Sequence, residues 1–366
     1  MFRQALTISG NTFTEAIRQP VFTVLVLIGA LGLVLNVFLA AYSMEPGRGD
    51  NKILIDLGLS TVLLVGLLLA AFTATGVVAE EIEAKTVLTV VSKPVPRPLF
   101  VLAKFLGVTA AIGVAHATLS CIFTLSLRHR VMQNASDHLD GPVLTLGVGG
   151  ALLALLLAAA GNYLYRRSFT STFVALLCLT QVLAVLGVSV LTPQWGLQPP
   201  LAELTRDGGQ VGQVLLGLFL LFEAVVVLTA LCVALSTRLG QLPTLLIALG
   251  VFFAGLIAGA LSGWVDQRLS LPPGVGVFES LIAVWNADIG IGLKPVYTLA
   301  KLVYLALPNL QFFWPADAIS QGNSMIEDLS GRFTLAPILS VSGYALLYTV
   351  ALLGAAVALF QRREVG

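Results

Sequence analysis

An all-α, polytopic transmembrane helical bundle of about eight spans is the fold class that this sequence predicts. Three observations predict it. First, 57% of the 366 residues are hydrophobic and only 11% are charged, whereas a soluble domain carries about 25% charged and about 45–50% apolar residues. A larger core cannot absorb that excess, because a water-facing surface would still need its polar share; the excess must face lipid. Second, the apolar residues fall into runs long enough to cross the hydrocarbon core, which takes about 20 residues as a helix. Third, several of those runs are bounded by clusters of Lys, Arg, Glu, Pro and Gly. Backbone inside a bilayer must satisfy its own hydrogen bonds, so each run is expected to be helical or shielded by protein.

The expected spans are 21–43, 54–79, 99–127, 143–165, 170–191, 211–235, 243–264 and 336–360. The pair 143–165 and 170–191 is joined by a very short linker, Arg166-Arg167-Ser168. The whole chain, 1–366, reads as one membrane domain. Its first twenty residues are mostly polar, and the apolar run that follows is spanning length, so a cleaved signal is not expected.

Sidedness follows from Lys and Arg near the ends of the spans. Placing both termini in the cytoplasm puts Arg3, Arg18, Lys85, Lys93, Arg97, Lys104, Arg166, Arg167, Arg238, Arg362 and Arg363 inside. Arg48, Lys52, Arg128, Arg130 and Arg206 then fall in short outer loops, and the run Arg128-His129-Arg130 works against the assignment. Residues 1–19 read as an amphipathic elbow helix lying along the inner leaflet, with Phe2, Leu6, Phe13 and Ile17 on one face and Pro20 ending it. The segment 262–336 is expected outside the cytoplasm. Within it, Lys294, Tyr297, Lys301 and Tyr304 share a helical face suited to the headgroup level, and Phe312-Phe313-Trp314 follow as an aromatic belt. An interfacial or re-entrant helix is expected there.

The most informative stretch is 80–98, between the second and third spans. It opens on Glu80-Glu81-Ile82-Glu83-Ala84-Lys85-Thr86 and closes on Ser92-Lys93-Pro94-Val95-Pro96-Arg97, with Lys104 just inside the next span. The acidic start and basic end suit the two poles of a helix dipole. Leu88 and Val91 give an apolar side, and Pro94 and Pro96 stop the helix and stiffen the return to the bilayer. Such a compact, charged element can dock in a groove of a soluble partner and pass on displacement without bending; an ordinary cytoplasmic loop is the bland alternative.

The order Glu-x-Glu-x-x-Thr, then Ser-Lys-Pro-Val-x-Arg, then Lys resembles the first coupling helix of the type-2 ABC exporter permeases. The resemblance is to the subgroup containing the membrane subunit of the nitrous-oxide-reductase maturation transporter. The matching positions are Glu81, Glu83, Lys85-Thr86, Ser92-Lys93-Pro94, Arg97 and Lys104, while Ile82 stands where many relatives have Arg. Thr12–Arg18 resembles the family's elbow helix. Leu235-Ser236-Thr237-Arg238 before Pro243 resembles its second coupling turn, here 236–243. Leu307-Pro308-Asn309-Leu310 with Pro315–Ala318 resembles its outer segment, and Phe360–Glu364 its cytoplasmic end. The resemblance implies a permease subunit in a bacterial inner membrane, paired with an identical or related permease chain. A separate cytosolic ABC ATPase would bind ATP and magnesium and meet the segments around Glu81–Arg97 and Ser236, Thr237 and Arg238. An extracytoplasmic partner is a further implication. The usual family core has six spans, so 143–165 and 170–191 read as an inserted pair.

Several chemistries are not expected. No Gly-x-x-x-x-Gly-Lys-Ser/Thr loop, His-Glu-x-x-His or Gly-x-Ser-x-Gly occurs in the sequence. The formal net charge of +1 suggests no nucleic-acid partner. Cys121, Cys178 and Cys232 sit in apolar runs, without disulfide or metal spacing. The chain is therefore expected to bind no cofactor or metal and to carry no catalytic residue. Two ionisable residues lie deep in expected spans, Glu223 and His116, which read either as contacts of a substrate path or as buried links between helices. A stand-alone secondary transporter would need Glu223 and His116 for ion coupling. A membrane-embedded lipid-modifying enzyme would have to use Asp266, Glu279 and Asp288, which are far apart in sequence.

Overall fold

The computed structural model of the chain describes residues 2–42, 48–79, 96–131, 138–200, 202, 210–272, 275–288, 290–316, 319 and 335–361. Among these, helices make up the fold in the order α1 (Phe2–Arg18), α2 (Pro20–Ala40), α3 (Arg48–Ala74), α4 (Arg97–His129), α5 (Gly149–Tyr165), α6 (Phe169–Ser189), α7 (Gln210–Ser236), α8 (Gln241–Arg268), α9 (Val277–Asn286), α10 (Lys294–Ala306) and α11 (Ala336–Gln361). A π-helical segment, Thr75–Ala79, prolongs α3; another, Leu144–Val148, leads into α5; a 3-10 turn, Leu310–Phe313, follows α10. Eight of the helices are long and apolar enough to cross a membrane, and they coincide with the eight runs expected from hydropathy.

Local chemistry sets several starts. Proline stands in the first turn of α2, α4 and α10, where its missing N–H costs nothing and its fixed φ suits the helix. Asp140 caps the Gly141–Val143 turn by accepting from the Val143 N–H at 3.0 Å. The short linker between α5 and α6 is closed by Arg166, which turns left-handed at φ 52°. The Arg166 and Arg167 N–H groups then return to Asn162 and Gly161, and the Asn162 side chain donates to the Arg167 carbonyl at 2.7 Å.

Helices α3, α4 and α7 form the centre, with 61%, 56% and 67% of their apolar windows buried, against 22% for α5 and for α11. A single large cluster that includes Leu67, Ile112, Phe123, Leu221 and Leu228 ties the centre together. Helix α7 packs on α3, α4, α8 and α11; α2 packs on α3 and α4. The pair α5 and α6 is attached through α6, which meets α4, α1 and α2, while α5 packs chiefly on α6.

Helix α1 forms where the sequence predicts an elbow, and it packs on the bundle through one side. Its buried residues are Thr12, Ala16 and Ile17, while Phe2 and Leu6 stay exposed. The small face lies on α4 at Gly107, where an added Cβ would stand 2.5 Å from the Ser9 carbonyl oxygen and 2.6 Å from Thr12 Cβ. Small residues make this close contact; Ile17 is buried beside them and Phe13 packs on the core, while Phe2 and Leu6 point away from the bundle.

The segment after α8 turns back alongside it. Near the end of α8, Trp264 meets Tyr297 edge to face at 5.4 Å. Deeper, the Pro308 oxygen and Leu310 lie against Gly255, where an added Cβ would sit 2.5 Å from that oxygen. Gly255 is thirteen residues from Arg268, the last residue of α8, which is about 20 Å along a helix axis. The chain therefore re-enters the bundle to roughly half its depth. The non-helical backbone at the tip is satisfied internally: the Asn309 N–H donates to the Tyr344 hydroxyl at 2.9 Å, and the Tyr348 hydroxyl donates to the Ala306 carbonyl at 2.7 Å.

The headgroup face expected for this segment is corrected. Tyr297 and Lys301 are buried against α8, not turned to the surface. Lys301 Nζ lies 2.7 Å from both Asp266 oxygens and 2.8 Å from Ser262 Oγ, and the Ser280 hydroxyl of α9 donates to the same carboxylate. A lysine opposite an acid one helical face away gains more by pairing than by snorkelling. The aromatic belt is also corrected in part, since Phe313 is buried while Phe312 is exposed. Replacing Lys301 by Met is expected to cost about 2–4 kcal/mol, below the full range for a buried pair because Asp266 keeps some solvent. Thermal melting in detergent measures this, and the double change with Asp266→Leu should recover most of the loss.

Candidate functional site

Arg97, Lys104, Ser236, Thr237 and Arg238 lie at one end of the bundle. Helices α2, α4, α6 and α8 start there, and α3, α5, α7 and α11 finish there, as their alternating directions require. Cross-contacts tie the end together: the Thr170 hydroxyl of α6 donates to the Arg18 carbonyl at 3.0 Å, and Lys104 Nζ of α4 lies 3.5 Å from the Val77 carbonyl in the π-helical end of α3.

Of the predicted coupling residues, Glu81, Glu83, Lys85, Thr86, Ser92, Lys93 and Pro94 lie outside the described residues. Arg97 and Lys104, at the far side of that segment, are placed. Lys104 is buried (3% exposed); it stands 3.9 Å from a Glu15 oxygen of α1 and 5.8 Å from the centre of the Phe100 ring. It thus joins the elbow helix, the end of α3 and the start of α4. π-Helical turns recur at functional sites, and this one immediately precedes residues 80–95 in the chain.

Arg97 donates from Nη1 to the Gln361 carbonyl at 2.9 Å, and the neighbouring Phe100 and Phe360 rings stack 5.7 Å apart. Arg238, in the turn between α7 and α8, donates from Nε to the Leu359 carbonyl at 3.0 Å. Both guanidinium groups therefore cap the carbonyl end of α11, where the helix dipole is negative and the last carbonyls have no partner within the helix. Ser236 and Thr237 are placed differently. Both are buried, and their hydroxyls donate back to Cys232 and Ala234 of their own helix at 2.6 and 2.7 Å. They shape the turn that presents Arg238. Beside this region, Asn11, Thr14, Glu15, Arg18, Gln19 and Pro20 line a cleft of ≈ 560 Å³ at the elbow.

The two intramembrane candidates are not brought into one site. His116 of α4 faces α7: Nε2 lies 2.9 Å from the Leu218 carbonyl, so it is the donor, and the ring centre lies 5.1 Å from that of Phe222. This is a buried link between two central helices. Glu223 faces α11 instead, with the Ser342 side chain near its carboxyl group. Its Oε2 is buried with no hydrogen-bond partner among the described residues.

Two buried ion pairs were not foreseen from the sequence. Besides Lys301 with Asp266, Arg128 Nε bonds Asp140 Oδ2 at 3.0 Å, and the guanidinium also donates to the Val188 and Leu191 carbonyls at the end of α6. The signals were present: Arg128 sits in the one basic run that opposed the charge assignment, and Asp140-Gly141-Pro142 is a helix start. Asp266, weighed in sequence as a catalytic acid, is engaged by Lys301 and Ser280. No group of three His, Cys, Asp or Glu that could hold a metal occurs among the described residues.

Fold and site together define a multi-pass, all-α membrane protein. No protein-family model matches the chain, and no curated protein does so either.

Proposed function

We propose that this chain is the membrane-spanning subunit of an ABC transporter of the type-2 exporter class, driven by a separate cytosolic ATPase that binds ATP and magnesium. The observation that carries the reading is the convergence of Arg97 and Arg238 on the last turn of α11. These arginines belong to the two segments whose sequence resembles coupling elements, and a displacement of either one acts on the same helix end. The elbow cleft and the Lys104 junction add a concave, polar surface beside them. In this reading that end is cytoplasmic, in a bacterial inner membrane, and Arg166 and Arg167 lie on the same side. A second permease chain completes the pathway. ATP-driven closure of the ATPases shifts the bundle between two states of access, moving a molecule outward or passing work to a partner outside. The chain itself performs no chemistry.

One observation favours a second reading, a secondary transporter: the unpaired Oε2 of Glu223 in the middle of α7. Gentle detergent purification of the tagged chain, with mass spectrometry of what accompanies it, separates the two. A Walker-loop ATPase present in stoichiometric amount, and lost after Glu81→Lys with Arg97→Glu, is the expected result. A chain that purifies alone and takes up solute along an ion gradient in vesicles would sink the proposal.

A further inference from the structure

Helix α7 shows one stripe of its surface between α4 and α11. Phe222 meets the His116 ring of α4, and Glu223 meets Ser342 of α11. Successive residues stand about 100° apart around a helix. Leu215, Phe219 and Val226, at spacings of four and seven, therefore project between those two walls, and Leu215 and Phe219 are about half exposed. At one end the walls meet, where Arg97 bonds the Gln361 carbonyl and the Phe100 and Phe360 rings stack. Towards the other end α7 is open to the side of the bundle. The α4 wall is low at Gly113, where an added Cβ would meet only the Phe222 ring, at 3.5 Å. On the α11 wall, Leu339 and Leu346 flank Ser342 at spacings of three and four and are exposed. These residues make a crevice with apolar walls and one carboxyl at its edge.

Depth and charge select the occupant. Glu223 is thirteen residues from each end of α7, about 20 Å along the axis. The crevice therefore opens at mid-span, where an occupant arrives through hydrocarbon. An ionisable group at that depth pairs or faces a protected cavity. Oε2 of Glu223 is buried without a hydrogen-bond partner among the described residues, and none of the ion pairs among them includes it. An unpaired acceptor beside the rings of Phe219 and Phe222 is complementary to a protonated amine. An amine that enters neutral takes up the proton of the carboxylic acid: the O–H bond breaks, an N–H bond forms, and an ammonium–carboxylate pair remains in the crevice.

We propose that this crevice is a lateral binding site for a lipophilic amine, with Glu223 as its counter-ion, Ser342 beside the carboxyl, and Phe219 and Phe222 against the cation. The site requires only that α7 spans a membrane, and neither an ATPase nor an ion gradient. Equilibrium dialysis of the detergent-purified chain against tritiated imipramine, a lipophilic tertiary amine, tests it. The parent is expected to bind one amine per chain, saturably. Glu223→Gln, which keeps the shape of the side chain, should bind roughly tenfold more weakly or worse. Gly113→Leu should abolish binding by filling the crevice from the α4 wall while the carboxyl stays intact. Iminodibenzyl, the same ring system without the basic side chain, should not saturate. Equal binding by the parent and Glu223→Gln would mean partition without a site and overturn the proposal. Parental binding by Gly113→Leu would put the amine elsewhere and overturn it as well. A parent that binds no amine overturns it too, and dicyclohexylcarbodiimide then tells why: a Glu223 that reacts is accessible but takes no amine, and one that does not react is covered by a second copy or another protein. Melting temperatures check the fold of both variants, and if Glu223→Gln does not fold, Gly113→Leu carries the comparison.

Discussion

Arg128→Met should lower the melting temperature of the purified chain more than Lys301→Met or the loss of either arginine cap on α11. The pair it breaks is buried on both sides, with side-chain exposures of 4% for Arg128 and 5% for Asp140. Removing the cation leaves a buried carboxylate and takes the side-chain donor from two carbonyls, at a cost of about 3–5 kcal/mol. The damage is local in a recognisable way. Arg128 lies in the last turn of α4, Asp140 starts the turn into α5, and Val188 and Leu191 flank the end of α6. Hydrogen exchange should therefore quicken first around 188–191 and 140–143, with the α3–α4–α7 centre protected. Arg128→Lys keeps the charge but not the fork that reaches both carbonyls, so it should recover only part of the loss. Equal melting of Arg128→Met and the parent would show that the clamp does not hold the hairpin.

The largest expected effect on activity is that of Arg97→Ala with Arg238→Ala. Both bonds are near solvent, so the folded chain should lose little stability, of order 1 kcal/mol for the two together. The last turn of α11 loses both caps, and exchange at the amides of 357–361 should rise while α3, α4 and α7 stay unchanged. If the chain is a permease subunit, ATP hydrolysis by the assembled complex continues and transport-linked work falls to the background of an empty vesicle. Hydrolysis and transport that fall in proportion would mean that the arginines serve assembly, not coupling. Single variants should give intermediate work, because the other arginine still holds the helix end.

Much of the architecture was legible from hydropathy alone, because lipid imposes a length and a composition that few other environments do. The run expected at 170–191 is the helix Phe169–Ser189, and the run at 336–360 is Ala336–Gln361. The three-residue linker is closed by a feature hydropathy does not register, a left-handed arginine held by Asn162. What a single sequence could not give is which neighbour a polar residue meets. Lys294, Tyr297, Lys301 and Tyr304 trace one helical face whether it turns to headgroups or to Asp266, and only packing decides. In the same way Glu223 and His116 could be placed within spans, but not towards α11 and α7. Arg97 and Arg238 were found by resemblance; their common target, the end of α11, is 264 and 121 residues away along the chain.

Helix α5 rests chiefly on α6, through a narrow line of Gly150, Ala154 and Ala158. Most of the rest of it, including Leu152, Leu156 and Leu164, faces outward. Hydrocarbon accepts one aliphatic shape about as well as another, so exchanges among Leu, Ile, Val and Phe on that outer side are nearly silent. A single enlargement in the small-residue line would pry the pair apart. Random variation should therefore accumulate on α5 faster than on the central α3, α4 and α7, and a library screened for folded protein would read out the helix as tolerant on three sides and intolerant on one.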